Sequence, residues 1–451
     1  MMKKSRVIRP RTVLVPAILA LILSACSSGG GTPAAGEKDG KAAPSVTDDQ
    51  KAAELTFYLN SMTKKEFDEI YAPIIKAKYP NYVLKTAEPA VKGQEIQNLV
   101  AAGSVPDIVI GTKGTISFVM EEYGLSEDIS ELIKTRKYDL TRIEPVFIDA
   151  MKGYAGGKVI GLPVNAPANA LHYNKTLFDK FGVAYPKDGM TWDDVYEIAK
   201  KMTRFEDGVQ YRGYSERWHQ IFMEFNQYSL PYLDPKEDKA AVNTDQWKKI
   251  VDGIVRFYKL PGLKFDSKTG YTEEDLKVFE TGVSAMTVFA RPDNYKTFEW
   301  DIVSVPTYKD KPNIGLAGSA RYFFITNTSK EKEAAFNVMS HLTSDEVLLK
   351  LSKVGIAPPL AQMPEEMKKA FNQDNPLYQG KHVTSFFYNK PAPEPPIRAA
   401  GLTPFTKSQS ILIGEVMKMI VEGSEVDANT ALRTAEELIN KGISEAKAAK
   451  K

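Results

Sequence analysis

The chain has 451 residues, 26% of them charged, with one cysteine and four histidines, so it has length for two hydrophobic cores and no means of building a disulfide framework. Five of its 59 basic residues and none of its 57 acidic ones precede Cys26, so the formal +2 becomes −3 from Cys26 onward. That balance, with no basic patch or stripe, excludes a nucleic-acid surface. His172, His219, His341 and His382 are too scattered for the closely spaced ligands of a zinc site, so no metal and no cofactor is expected.

In chain order, Lys3, Lys4, Arg6, Arg9 and Arg11 form a cationic head, and an uncharged apolar run from Thr12 to Leu23 follows. The run is shorter than the 20 or so apolar residues a bilayer-spanning helix takes. It ends in Leu23, Ser24, Ala25, Cys26, which resembles the lipobox of bacterial lipoproteins. The resemblance implies a signal peptide over 1–25, cleavage before Cys26 and lipidation of its sulfur, palmitate being one such acyl group. A cleaved secretory signal with an incidental cysteine is the plainer alternative. Two acyl chains, at about 0.8 kcal/mol per buried methylene, hold a protein to a membrane durably. Residues 26–52 are small and polar and read as a flexible tether.

From Leu55 the chain alternates strand and helix signals. LTFYL is a short strand; Phe67, Ile70, Tyr71, Ile74 and Ile75 recur at helical spacing; YVLKT is a strand; Ile96, Leu99 and Val100 form a stripe; and PDIVI reads as a strand of a buried parallel sheet. This predicts an α/β layer. A second such layer is expected from ALHY near Ala170. There Thr191 and Asp194 form a capping box ahead of an apolar face of Trp192, Val195, Ile198, Ala199 and Met202. Trp247, Ile250, Val251, Ile254 and Tyr258 mark another helix, and SAMTVF and RYFFITN read as strands. Ala334, Ala335, Val338, Met339 and Leu342 give a helix, and Thr343 with Glu346 is read as capping the next, which stops at Gly355. PAPEPP, Pro391 to Pro396, reads as an extended loop.

The segment from Leu162 to Thr203 resembles the interdomain crossing of extracellular solute-binding proteins of bacterial ABC importers, of the maltose-binding type. The resemblance continues in KYPNYVLKT, in the run from Gln94 to Ile110, in FETGVSAMTVF and DIVSVPTY, and in the helices after Glu333. It runs collinearly over nearly all of the chain after the tether. It implies a two-lobe, periplasmic-binding-protein-like α/β fold with a hinge of three crossing segments and a ligand cleft between the lobes. By this resemblance the crossings fall near Pro163 to Pro167, Val303 to Thr307 and His341 to Thr343. The N-terminal lobe then takes 53–165 plus 304–342, and the C-terminal lobe 166–303 plus 343–451.

Strand ends are where open α/β sheets bind ligands. The candidates there are Tyr58, Asn60, Glu88, Thr112, Lys113, Thr115, Asn165, Phe289, Arg291, Arg321 and Tyr322, with Trp218 offering an aromatic face from the second lobe. Aromatic faces, amides and a few charges suit a hydroxyl-rich neutral ligand or a modestly charged one. Maltose-binding relatives carry a tryptophan where this chain reads Ala290, Arg291, Pro292, Asp293, and Gly111 to Gly114 replace their acidic and aromatic residues. Arg291 and Lys113 therefore point toward a carboxylate.

No GxSxG and no P-loop is present. Asp234 to Asp245 imitates a calcium loop but has Lys239 where glycine is needed and Asp245 where a bidentate glutamate is needed. The resemblance implies a lipid-anchored, non-enzymatic, monomeric receptor on the extracytoplasmic face of a Gram-positive cell membrane. Its partners would be a small solute, an oligosaccharide in the first instance, and the permease subunits of an importer. The rival is a membrane-anchored secreted carbohydrate-active enzyme.

Overall fold

The computed structural model describes residues 51–216, 219–263, 273–288, 292–295, 298–421 and 426–449. The leader, Cys26, the tether up to residue 50, Trp218, Phe289 and Arg291 lie outside them.

β1 (Ala53–Leu59) becomes apolar on both faces in its second half, as a central strand must, and runs parallel to β2 (Tyr82–Ala87) on one side and β3 (Ile108–Gly111) on the other. Between β1 and β2 a continuous helical stretch, 64–78, buries Phe67, Tyr71 and Ile75, one position per turn. Helix Ile96–Ala101 joins β2 to β3. β4 (Gly161–Asn165) completes the first run, and the chain then passes through residues 166–169 into β5 (Ala170–Asn174) of a second sheet.

A hairpin of β6 (Arg204–Glu206) and β7 (Val209–Tyr211) follows the helix Trp192–Met202. The capping box there forms as read: the Thr191 hydroxyl accepts from the Asp194 N–H at 3.2 Å, and Asp194 accepts the Thr191 N–H at 2.8 Å. β8 (Met286–Thr287) and β9 (Trp300–Ser304) flank β5, in the order β8-β5-β9. Both pairings are antiparallel, so the second layer does not repeat the parallel pattern expected of it. β10 (Ile314–Ala317) pairs with β12 (Lys390–Ala392), and β11 (Arg321–Ile325) returns to the first sheet. There it inserts antiparallel between β3 and β4, giving the order β2-β1-β3-β11-β4.

Two separate hydrophobic cores result. The first packs Phe57, Phe67 and Phe323 at the sheet's centre, each fully buried and contributing about 1.5 to 3 kcal/mol relative to exposure. The second packs Trp192, Trp247 and Phe178 with the C-terminal helices, down to Ile443. A satellite of Phe279, Tyr295 and Trp300 covers the far side of the second sheet. The buried His172 ring stacks on Trp300 at 5.3 Å, and burial pushes its pKa down to about 3.

Two crossings depart from their expected places. Val303, Val305, Tyr308 and Leu316 all belong to the second core, so the return to the first lobe comes at 318–320 and not near Val303–Thr307. Val347, Leu348, Leu351 and Met367 belong to the first core, so the chain has not left it at His341–Thr343; it leaves beyond Met367. Thr343 does not cap the next helix. Its hydroxyl accepts from Tyr138 at 2.9 Å and donates back to the Met339 carbonyl, and Ser344 takes the cap position. Among the described residues no helix is long and apolar enough to cross a membrane.

Candidate functional site

The first crossing, residues 166–169, has no regular secondary structure, and its side chains divide between two cavities. Asn165, Ala166 and Ala168 line one cavity of about 460 Å³, and Pro167 and Asn169 line another of about 670 Å³. Both volumes fall in the range of roughly 300 to 1,000 Å³ typical of small-molecule sites. Gly318, in the second crossing, lies against Pro167, so the two strands of the hinge touch where the cavities divide.

The smaller cavity takes Glu66, Asn165 and Arg321 from the first lobe and Asp293, Tyr378 and Phe386 from the opposite side. Asn165 Oδ1 accepts the Arg321 N–H at 3.0 Å, which fixes the strand end, and the Arg321 guanidinium reaches Glu66 at 2.5 Å. Burial, with Asp293 nearby, pushes the Tyr378 phenol up to about 12, so it stays a neutral hydroxyl donor.

The larger cavity takes Thr112, Lys113, Ser117, Phe118 and Tyr154 from the first lobe, Ser319 from the second crossing, and Glu224 and Phe225 facing them. Phe118 is 69% exposed, an apolar ring held open to solvent at the cavity wall. Beneath it the loop after β3 is tied down by Thr115, which is buried. Its hydroxyl accepts the Asn60 amide at 2.8 Å and the Thr112 N–H at 3.1 Å. Gly111 is required by this closure, because a Cβ there would stand 2.3 Å from Thr115 Oγ1.

Lys113 is not open to an external carboxylate as the sequence reading anticipated. Its ammonium is held by Glu394, whose side chain is 10% exposed. Glu394 sits in the PAPEPP segment, which lies along the second lobe. Ser229 Oγ donates to the Pro393 carbonyl at 2.7 Å, and Arg398 reaches Asp238 at 3.1 Å. Between those anchors the segment leans on the first lobe, where Ile397 packs against Gly153 so closely that a methyl there would collide with it.

The structure thus brings Thr112, Lys113, Asn165 and Arg321 to the cavities and leaves Asn60 and Thr115 as the brace behind them. Tyr58 and Tyr322 are core residues instead. Both rings are buried, and the Tyr322 hydroxyl donates to the Phe147 carbonyl at 2.9 Å. Both strands are buried on both faces here, since Phe57 and Leu59 flanking Tyr58, and Phe323 beside Tyr322, are buried as well. Glu88 lines neither cavity; its N–H donates to Gln94 at 2.8 Å. Glu66, Phe118, Tyr154, Phe225 and Tyr378 were missed. Of these only Phe118 carries a sequence signal, an aromatic three residues past the strand-end loop.

A further cavity of about 360 Å³ lies on the second lobe, between helices Trp192–Met202 and Asp245–Tyr258. It shares no residue with the cleft, and four of its charged side chains pair with one another, Lys248 with Asp252 and Arg256 with Asp193. No cluster of metal-ligating side chains occurs among the described residues.

The profile of the family described as bacterial extracellular solute-binding protein matches residues 59–348. The chain is 24% identical over 412 residues to an sn-glycerol-3-phosphate-binding periplasmic protein of Brucella melitensis, covering 85% of this chain and 89% of that one. It also matches putative binding proteins of Brucella, of whose length it spans 61%. Among solved structures, a sugar transporter from Rhizobium etli in an open conformation superposes with TM-score 0.68 at 18% identity, over 87% of this chain and 99% of that one. An ABC substrate-binding protein of Listeria monocytogenes in complex with cycloalternan superposes with TM-score 0.60 at 21% identity, over 87% and 100%.

Proposed function

The chain belongs to the bacterial extracellular solute-binding protein family, and from that premise we propose that it is the receptor of an ABC importer, closing on a carbohydrate or related polyol and presenting it to the permease. One observation carries the reading. Two cavities lie between separately cored lobes, and their walls set aromatic rings beside hydroxyls and amides: Phe118, Tyr154 and Phe225 with Thr112, Ser117 and Asn169 in one, Tyr378 and Phe386 with Asn165 in the other. Aromatic faces cover the C–H faces of a sugar, while the polar groups meet its hydroxyls.

A ligand that touches both walls does so fully only when the lobes are closed, so its differential affinity shifts the open and closed populations. The receptor turns nothing over and works as a monomer. Its tether ends at Cys26, and the order of cationic head, apolar run and Leu23–Cys26 supports a lipid anchor that holds the receptor beside its permease.

Purified protein is denatured and the released solute identified by mass spectrometry, then returned to stripped protein in a calorimeter. Stoichiometric binding of a sugar or polyol, recovered unchanged, supports the reading. Hydrolysed or transglycosylated products would establish the enzyme instead.

A further inference from the structure

The cleft's polarity is set by pairs that lie far apart in sequence. Among the described residues, Lys113 and Arg321 are the two cations that line the cavities, and each is held by a carboxylate, Glu394 and Glu66 respectively. All four side chains are at least two-thirds buried. Asp293 and Glu224 add two further acids to the cavity walls. Among the described residues the walls therefore carry three carboxylates, with Glu394 held against Lys113 as a fourth, for two cations.

We propose that Glu66 and Glu394 are specificity-determining residues: by occupying Arg321 and Lys113 they deny an anionic solute its counter-charge, so that the cleft selects uncharged, hydroxyl-rich solutes over phosphorylated or carboxylated ones. The inference rests on the receptor reading above and narrows its substrate class. An anion entering this cleft has to displace a carboxylate from an ion pair already desolvated, while meeting the repulsion of the remaining acids. A neutral polyol meets neither obstacle. It finds carboxylate oxygens that accept from its hydroxyls, the stronger kind of hydrogen bond. The segment that carries Glu394 is anchored on the second lobe, so one of the two blocking groups comes from each side of the cleft.

The test uses the soluble mature protein as wild type, Glu66→Gln, Glu394→Gln and the double variant. Each is titrated calorimetrically with a panel of neutral saccharides and polyols that includes maltotetraose and D-mannitol, and with sn-glycerol 3-phosphate and D-glucuronate. Wild type is expected to bind its best neutral solute at least tenfold more tightly than either anion. Each amide variant is expected to raise the ratio of anionic to neutral affinity tenfold or more, most strongly at low salt. That ratio is the readout, because loosening of the segment around Glu394 alone would move both affinities together. Should Glu66→Gln not fold, Glu394→Gln carries the comparison.

Arg291 lies outside the described residues, so an Arg291→Gln arm is included. Wild-type binding of an anion as tight as that of the best neutral solute, whether or not it is lost in Arg291→Gln, overturns this inference and leaves the receptor reading standing. So does an affinity ratio that stays within twofold in all variants. Folded wild type that binds neither class overturns the receptor reading and this inference with it.

Discussion

Gly111→Ala tests whether the loop that presents Thr112 and Lys113 really closes on a glycine. The added methyl would lie 2.3 to 2.4 Å from three atoms of the Thr115 side chain, so the loop has to retreat by about 1 Å to restore ordinary contact at about 3.4 Å. Overpacking of this kind costs about 1 to 3 kcal/mol. For a lobe of 150 to 250 residues that is about 2 to 4 °C in melting temperature per kcal/mol. Retreat also strains the bonds that Thr115 accepts from Asn60 and Thr112, so solute affinity is expected to fall along with stability. Thr115→Gly removes the atoms in the way, at the expense of both hydrogen bonds. The two substitutions should therefore be non-additive, the double variant being more stable than the sum of singles predicts by about 1 kcal/mol or more. Thermal unfolding by circular dichroism measures all four proteins. A Gly111→Ala protein that melts with wild type, or a strictly additive cycle, would refute the geometry of the loop.

Tyr322→Phe is expected to destabilise by about 1 kcal/mol, since the Phe147 carbonyl loses its donor, while solute affinity measured by calorimetry stays unchanged. Because burial holds the folded His172 pKa near 3, below its unfolded value of about 6.5, the unfolded chain binds the extra proton. His172 therefore makes stability fall as pH drops from about 6.5 toward 3, by up to about 1.4 kcal/mol per unit. His172→Phe keeps the stack on Trp300 and should flatten that part of the denaturation profile; an unchanged slope would exonerate the histidine. Cys26→Ala is expected to abolish acyl labelling and release the protein from the membrane fraction, because no second thiol exists in the chain. Saturating a cleft with its solute should reduce the radius of gyration seen by X-ray scattering and leave the circular dichroism spectrum unaltered, as lobe closure requires.

What could be read from sequence was what is local. β1, β2 and β3 announce themselves as apolar runs, and Thr191 and Asp194 declare a helix start within four residues. Thr343 and Glu346 show the same spacing and mislead, because Thr343 finds a better partner in Tyr138, 205 positions away. Strand direction in the second sheet was equally hidden, since antiparallel β5, β8 and β9 carry apolar runs as short as those of a parallel sheet. Within the cleft, strand-end position located Asn165 and Arg321 but could not tell that the interior strands β1 and β11 bury both faces up to their ends, hence Tyr58 and Tyr322. The pairs that set its charge join residues 255 and 281 positions apart, and nothing near Glu66 or Glu394 in the sequence marks either as a partner.

The placement of β11 bears on how such a chain is made. This strand fills the gap between β3 and β4, yet Arg321 follows its neighbour Asn165 by 156 positions. Until it arrives, β3 presents an unpaired edge and Phe323 is missing from the centre of the first core. The first lobe therefore cannot finish its sheet as its own N-terminal residues emerge, and long-range closure of this kind is slow. The first sheet can close only after more than two-thirds of the polypeptide, through β11, has been made.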